Sequence, residues 1–415
     1  MKNTKSIQAV TDFRLNRRFF KPHDEYNIKY LINTIYSTFG IESGINVPTD
    51  CLKDSNKYDN VMLILLDGLS YSLYEKHLKK LPKEKRLLLE RNLLFSKLTT
   101  IFPATTTSVI PFLMTGYMPE ESGIYEWWQY EHNSDEIICP FLSQYQKDKE
   151  SLDMKELGVD PIKIYKESRI YKKLMKENIK VTSFAREYET PFNNIANDEI
   201  NVLTFNYITE YFKHFMKMKI EGRNFFYMYE PNIDYYQHKF GVNSKECSDC
   251  VSEILNELYT LLKYVDEKLN GNIRIFITAD HGLTDVSYKK ILFLDKGVDN
   301  IEKYLKKNRK GNPIRCGGSP RACVLHIKED KVNEFINIAR NVVADYGEVF
   351  QIDEIFDMGL FDKDLASEDF MRNMGNLIFL AYPNRGIWFE EDFSSYKGFH
   401  GGLSEDELHI PLLLY

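Results

Sequence analysis

The chain has 415 residues, 43% of them hydrophobic and 28% charged, and a formal net charge of −7. A chain of this length can bury a core without disulfide or metal staples, and the balance is that of an ordinary globular protein. No basic block or arginine-rich arm is present, which speaks against binding along a nucleic-acid duplex, and no window approaches the length of a membrane span.

Residues 1–58 are mixed and polar, with a helical pattern around 28–39. The opening segment MKNTKSIQAVTDFRLNRRFF carries positive charge but no apolar stretch of a secretory signal, so the expected location is the cytoplasm. NVMLILLD at 60–67 is a continuous apolar run, suited to a strand covered on both faces in a parallel sheet. Helical stretches at about 70–90 and a strand near 93–100 lead into IFPATTTSVIPFLMTG. KVTSFA at 180–185 reads as a strand, about 205–220 as a helix, and NFFYMYE at 224–230 as a strand. A long amphipathic helix follows at 245–269, then the strand IRIFITAD at 273–280. This alternation predicts an α/β fold with a doubly wound, mostly parallel sheet.

Between His281 and His400 the texture changes. Two strands, 321–327 and 376–382, and a helix at 331–347 predict a small α+β insertion over 283–395, leaving 1–282 and 396–415 as the core. The closing HGGLSEDELHIPLLLY returns a strand to the sheet. Six scattered cysteines do not form a disulfide framework. Cys247 and Cys250 have metal-like spacing but no partner pair, and read as free thiols at the start of a helix.

Ligands of an open α/β sheet sit beyond the carboxyl ends of its strands. Asp67, Thr106, Asp234 and the pair Asp280 and His281 all fall at or past such ends. Asp67 alone would pass for a helix cap. Asp234 and His238 have the i, i+4 spacing of one helical face, suited to a shared metal or to solvent. Asp280 and His281 place two polar groups at the end of a buried strand, where both need partners. His400 lies before two glycines, in a loop whose backbone allows close approach. Thr105, Thr106, Thr107 and Ser108 offer hydroxyls where a strand gives way to a helix, either as a cap or as a nucleophile beside a metal. The other histidines (His23, His77, His132, His214, His326 and His409) read as structural.

Taken together, LLDGL, FPATTTSVIPFLMTG, PNIDYYQH, TADHG and HGGLS resemble the alkaline phosphatase superfamily, most closely its nucleotide pyrophosphatase/phosphodiesterase branch. The resemblance covers roughly 60–130, 220–285 and 395–415. It implies an alkaline phosphatase-like core and two divalent cations, zinc or alternatively manganese. Asp234, His238 and His400 would hold one; Asp67, Asp280 and His281, with the Thr106 oxygen, would hold the other. The family spacing from Phe102-Pro103 and Thr115-Gly116 selects Thr106 as nucleophile over Thr105 and Thr107. The implied substrate is a small phosphate ester, a nucleotide among the options. Where the branch commonly has a phosphate-contacting asparagine, this chain reads GIYEWWQYEH. Gln129, a backbone amide or a group from elsewhere would replace that contact, while Trp127 and Trp128 would stack on an aromatic substrate group or pack. A phosphonate hydrolase, a phosphomonoesterase and a binding module without turnover are the alternatives on the same scaffold.

Overall fold

The computed structural model describes residues 1–147, 169–186, 199–269, 271–390 and 395–415. Six strands of the central sheet are, in chain order, Asn60–Leu66 (β1), Leu94–Thr99 (β2), Lys180–Arg186 (β3), Asn201–Phe205 (β4), Asn224–Glu230 (β5) and Arg274–Thr278 (β6). Gly317–Ser319 (β7), Ala322–Leu325 (β8), Gly347–Gln351 (β9) and Leu377–Ala381 (β10) make a second, smaller sheet, and His409–Leu414 (β11) returns to the central one. The central sheet has the order β2-β11-β6-β1-β5-β3-β4. Within it β1 pairs in parallel with β5 and β6, and β3 with β4 and β5. Only β11 runs against its neighbours, β2 and β6. Every residue of β1 and β6 is buried, so their sequences read as unbroken runs rather than as alternation.

Five helices carry the residues discussed below: Thr106–Thr115 (α1), Asn232–Phe240 (α2), Lys245–Tyr264 (α3), Val332–Val343 (α4) and Glu405–Leu408 (α5). The α3 helix buries Val251, Ile254, Leu255, Leu258, Leu261 and Leu262, the stripe that a 3.6-residue period places on one face. Ser244 caps it by accepting from the Cys247 amide at 3.1 Å. Both Cys247 and Cys250 are free thiols in its first turns. The helix ends earlier than its apolar pattern predicts and passes into a π-turn at Val265–Leu269. No described helix is long and apolar enough to cross a membrane.

The sequence pattern does not reveal β4. It is a short edge strand, half-exposed along its length, so it has no apolar run to betray it. The helix expected over about 205–220 is correspondingly shorter, Ile208–Phe215.

The four short strands form an antiparallel sheet of order β7-β8-β10-β9. Its two faces are divided by strand alternation. Ala322, Val324, Ile378 and Leu380 pack in a cluster with Phe102, Ala104, Tyr125, Leu403 and Leu408. Cys323, Leu325, Leu377 and Phe379 join the larger core on the other side. One face of the small sheet is thereby seated on the segments that precede Thr106 and follow His400.

Candidate active site

Three neighbouring parallel strands deliver the aspartates to one edge. Asp67 follows β1 directly, Asp234 lies in the first turn of α2 after β5, and Asp280 lies two residues beyond β6. Thr106 opens α1, across the edge from β2. Gly68 makes the close approach possible. Its φ is +76°, and a Cβ there would stand 2.9 Å from the Asp234 Cα. The Asp234 amide accordingly donates to the Asp67 carbonyl at 3.1 Å.

The three histidines share one arrangement. His238 Nδ1 contacts the Gly398 carbonyl at 2.8 Å, His281 Nδ1 that of Gly282 at 3.2 Å, and His400 Nδ1 that of Ala104 at 3.2 Å. A proton on Nδ1 satisfies each carbonyl and leaves the Nε2 lone pair free to bind a metal. The three aspartates are complementary. Asp67 Oδ2 accepts from the Tyr229 hydroxyl, and Asp280 Oδ1 accepts from the Gly68 and His281 amides. Asp67 Oδ1, Asp234 Oδ1 and Asp280 Oδ2 are buried without a hydrogen-bond partner.

Those free atoms face one another. Asp234 Oδ1 lies 3.4 Å from His238 Nε2 and 3.8 Å from His400 Nε2. Around His281 Nε2 stand Thr106 Oγ1 at 3.0 Å, Asp280 Oδ2 at 3.4 Å and Asp67 Oδ1 at 3.6 Å. Asp67, Asp234 and His281 also close on one another within 4.8 Å, so Asp234 stands between the two sets. The His281 and His400 rings stack at 3.9 Å, which makes the two sets one centre. All seven residues expected from the sequence are thus brought together.

Among the hydroxyls, Thr105 and Thr107 are fully buried and pair with each other at 3.3 Å, and Ser108 donates to the Tyr125 carbonyl at 2.6 Å. Thr106 is left facing the histidine, at the positive end of the α1 dipole.

The electrostatics are unfavourable without a cation. Burial pushes the Asp67 carboxyl well above the usual carboxylate range, and the charges of Asp280 and Asp234 add to the push. Burial also raises Asp234, against the pull of His238 and His281. For His400, burial and then the neighbouring His281 and His238 lower the ring well below the ordinary imidazole value. Such a centre suits neither bare carboxylates nor imidazolium, and divalent cations relieve both penalties. The orphaned oxygens, the Nε2 atoms of His238 and His400, and that of His281 beside Thr106 fit two such ions.

Gln129 does not reach the centre as a phosphate contact. Its Oε1 accepts from the Tyr125 amide at 3.2 Å and its Nε2 donates to the Gly123 carbonyl at 2.8 Å, so the amide is spent on its own loop. Trp128 is buried in the core and bridges by its backbone to Gly318, while Trp127 tilts on Phe141 at 6.3 Å. Tyr229 and Gln237 join the site although neither is among the residues expected from the sequence. The Gln237 Nε2 donates to the Gly68 carbonyl at 2.8 Å. Tyr229 sits beside Leu65 in the strand register, so a hydroxyl at the end of an apolar strand was the available signal. The remaining histidines lie elsewhere: His326 packs on Tyr130 at 4.9 Å, and His409 sits beside Lys97 and Glu405.

A family model described as type I phosphodiesterase / nucleotide pyrophosphatase matches residues 61–402. No curated protein sequence matches. Among solved structures, murine ectonucleotide pyrophosphatase/phosphodiesterase 5 is similar, both alone and as an inactive threonine-to-alanine variant in complex with AMP. Each superposes with a TM-score of 0.59 at 17% identity, covering 85% of this chain and 87% of that one. The human counterpart gives a TM-score of 0.58 at the same identity and coverage. At this identity the likeness concerns the fold.

Proposed function

Since this chain belongs to the type I phosphodiesterase / nucleotide pyrophosphatase family and is a hydrolase of that type, we propose that it cleaves phosphoric diesters or pyrophosphates of nucleotide-like small molecules through Thr106 and two divalent cations. The observation that carries the reading is the paired state of the ligands: three imidazoles anchored through Nδ1, and three carboxylates with one free buried oxygen each. Asp234, His238 and His400 would hold one ion. Asp67, Asp280 and His281, with Thr106, would hold the other. Zinc suits this mixed nitrogen and oxygen set, with manganese as the alternative. Bound there, the ions supply Lewis-acid polarisation of the phosphoryl group and acidify nearby hydroxyls.

Thr106 Oγ1 is the attacking atom. A new P–O bond forms to it as the bond to the leaving alcohol or phosphate breaks, the proton of the hydroxyl passing to the leaving group or to solvent. Water then cleaves the threonine-linked phosphodiester to free Thr106 and the product monoester. The α1 N-terminus turns its backbone dipole toward the non-bridging oxygens. Diesters are favoured over monoesters because the extra charge of a monoester calls for extra positive groups. The segment from Thr105 to Tyr125 contains no Arg or Lys. Lys239 donates to the Tyr235 hydroxyl at 2.9 Å, and Arg385 donates to the Asp345 carbonyl at 3.3 Å. Burial raises the Glu230 carboxyl, and the charge of Arg186 works against that rise. The bound AMP of the murine neighbour supports a nucleotide-like substrate.

The test is a hydrolysis panel on metal-loaded protein, with elemental analysis of the same preparation. Dinucleotides, nucleoside triphosphates and aryl diesters should be turned over, with close to two equivalents of zinc or manganese per chain. Activity that persists after complete removal of the metal refutes the reading.

A further inference from the structure

The strongest unexplained feature outside the ligand set is a fully buried ion pair that joins the small sheet to the loop carrying His400. Arg321 lies in the turn between β7 and β8, and Glu407 lies in α5; both side chains have zero exposure. The contact is a two-pronged fork. Arg321 Nε donates to Glu407 Oε1 and Nη2 to Oε2, each at 2.8 Å. Arg321 Nη1 donates to the carbonyls of Tyr382 and Arg385, which ties the guanidinium to the turn that follows β10.

The carboxylate has further work. Its Oε1 accepts from the Gly402 amide at 2.9 Å and its Oε2 from the Ser404 amide at 3.2 Å. From the same turn as Arg321, Ser319 Oγ donates to the carbonyl of His400 itself at 3.1 Å. The ligand residue and two amides that follow it are therefore gripped from 319–321 and 407. The double glycine is what lets the grip close. A Cβ at Gly401, whose φ is +112°, would stand 2.5 Å from Ser319 Oγ. A Cβ at Gly402 would stand 3.0 and 3.1 Å from the Glu407 oxygens.

A buried ion pair adds little net stability over apolar residues of similar volume. Two charges kept at zero exposure therefore call for a role that apolar side chains could not fill. A carboxylate has lone pairs enough to accept the guanidinium fork and two loop amides together, which no apolar side chain could do. We propose that Arg321 is a positioning residue for His400, acting through Glu407 to set the affinity of the Asp234, His238 and His400 site for its cation. This rests on the two-cation reading above.

The experiment measures stepwise zinc affinities by chelator competition. Hydrogen exchange of the 398–404 amides in metal-free protein gives a readout independent of any ion. Arg321→Lys keeps the charge and loses the fork. It should weaken one ion about 10–100-fold while the other shifts less than about threefold, as outer-shell partners of a ligand do. The ion affected should be the one that His400→Ala loses. Exchange at 398–404 should quicken in the metal-free variant. Ser319→Ala, at a half-buried position, should act in the same direction and more weakly, and it decides the matter if Arg321→Lys does not fold. Folded variants with both affinities unchanged, or with equal losses at both sites, overturn the assignment. Wild-type protein that binds no cation overturns the two-cation reading and this assignment with it; two tightly held ions in wild type and in both variants overturn this assignment alone.

Discussion

Replacing Tyr229 by phenylalanine should weaken one of the two ions without disturbing the fold. Tyr229 stands opposite Leu65 in the pairing of β1 with β5, half-buried at the strand end. Its hydroxyl donates to Asp67 Oδ2, which leaves Oδ1 as the oxygen 3.6 Å from His281 Nε2. Tyr229→Phe keeps the ring and removes a single donor to a charged acceptor, a contact worth about 1.5–3 kcal/mol. At about 1.4 kcal/mol per tenfold, the full effect is roughly a 10- to 150-fold loss of affinity. The loss belongs to the site of Asp67, Asp280 and His281, since Asp67 is not among the residues facing His238 and His400. Zinc competition against a chromogenic chelator, with the ions removed stepwise, resolves the two sites. A folded Tyr229→Phe protein whose two affinities both stay within about twofold of wild type would refute the argument that outer hydrogen bonds aim these carboxylates.

The nucleophile assignment expects Thr106→Ala to lower kcat by at least about 10³-fold with metal content intact, whereas Thr105→Ala and Thr107→Ala, whose hydroxyls pair with each other, cost far less; single-turnover kinetics on one substrate separate them. Thr106→Ser should retain partial activity, because it preserves the attacking oxygen. Matched p-nitrophenyl esters should show kcat/KM for the diester at least about tenfold above that for the monoester, equivalent to about 1.4 kcal/mol of transition-state preference, and a monoester preference would favour a phosphatase instead. Chelation should lower the thermal midpoint, since each ion at a hundredfold excess over its Kd contributes about 2.7 kcal/mol, and an unchanged melting curve would show that the buried Asp67, Asp234 and Asp280 oxygens do not hold ions.

Much of the centre is legible in the amino-acid sequence alone. The runs NVMLILL and RIFIT are buried on both faces, and the polar pair Asp280 and His281 at the end of the second needs partners. Asp67 alone would pass for a helix cap, and the ligand sets come from the family resemblance of the motifs together. The i, i+4 spacing of Asp234 and His238 fixed a common helical face for the same local reason. Local periodicity and strand-end chemistry are properties of a few consecutive residues, and these are what a single sequence displays. The β4 strand escapes for the converse reason: half-exposed at the sheet edge, it offers no periodic signal.

Tertiary structure decided which groups close over distances that no local pattern encodes. Gln129, one of the candidates for the phosphate contact, is consumed by the Tyr125 amide and the Gly123 carbonyl. Apart from a hydroxyl near the strand end, nothing local in NFFYMYE marks Tyr229, which donates to Asp67. Arg321 and Glu407 are 86 residues apart and meet only because the small sheet seats one face on the loop after His400. Strands and helices follow from short-range sterics and the burial of a repeating pattern. The aim of a carboxylate or an imidazole follows from which long-range partner takes its second hydrogen bond, and that is set by packing alone.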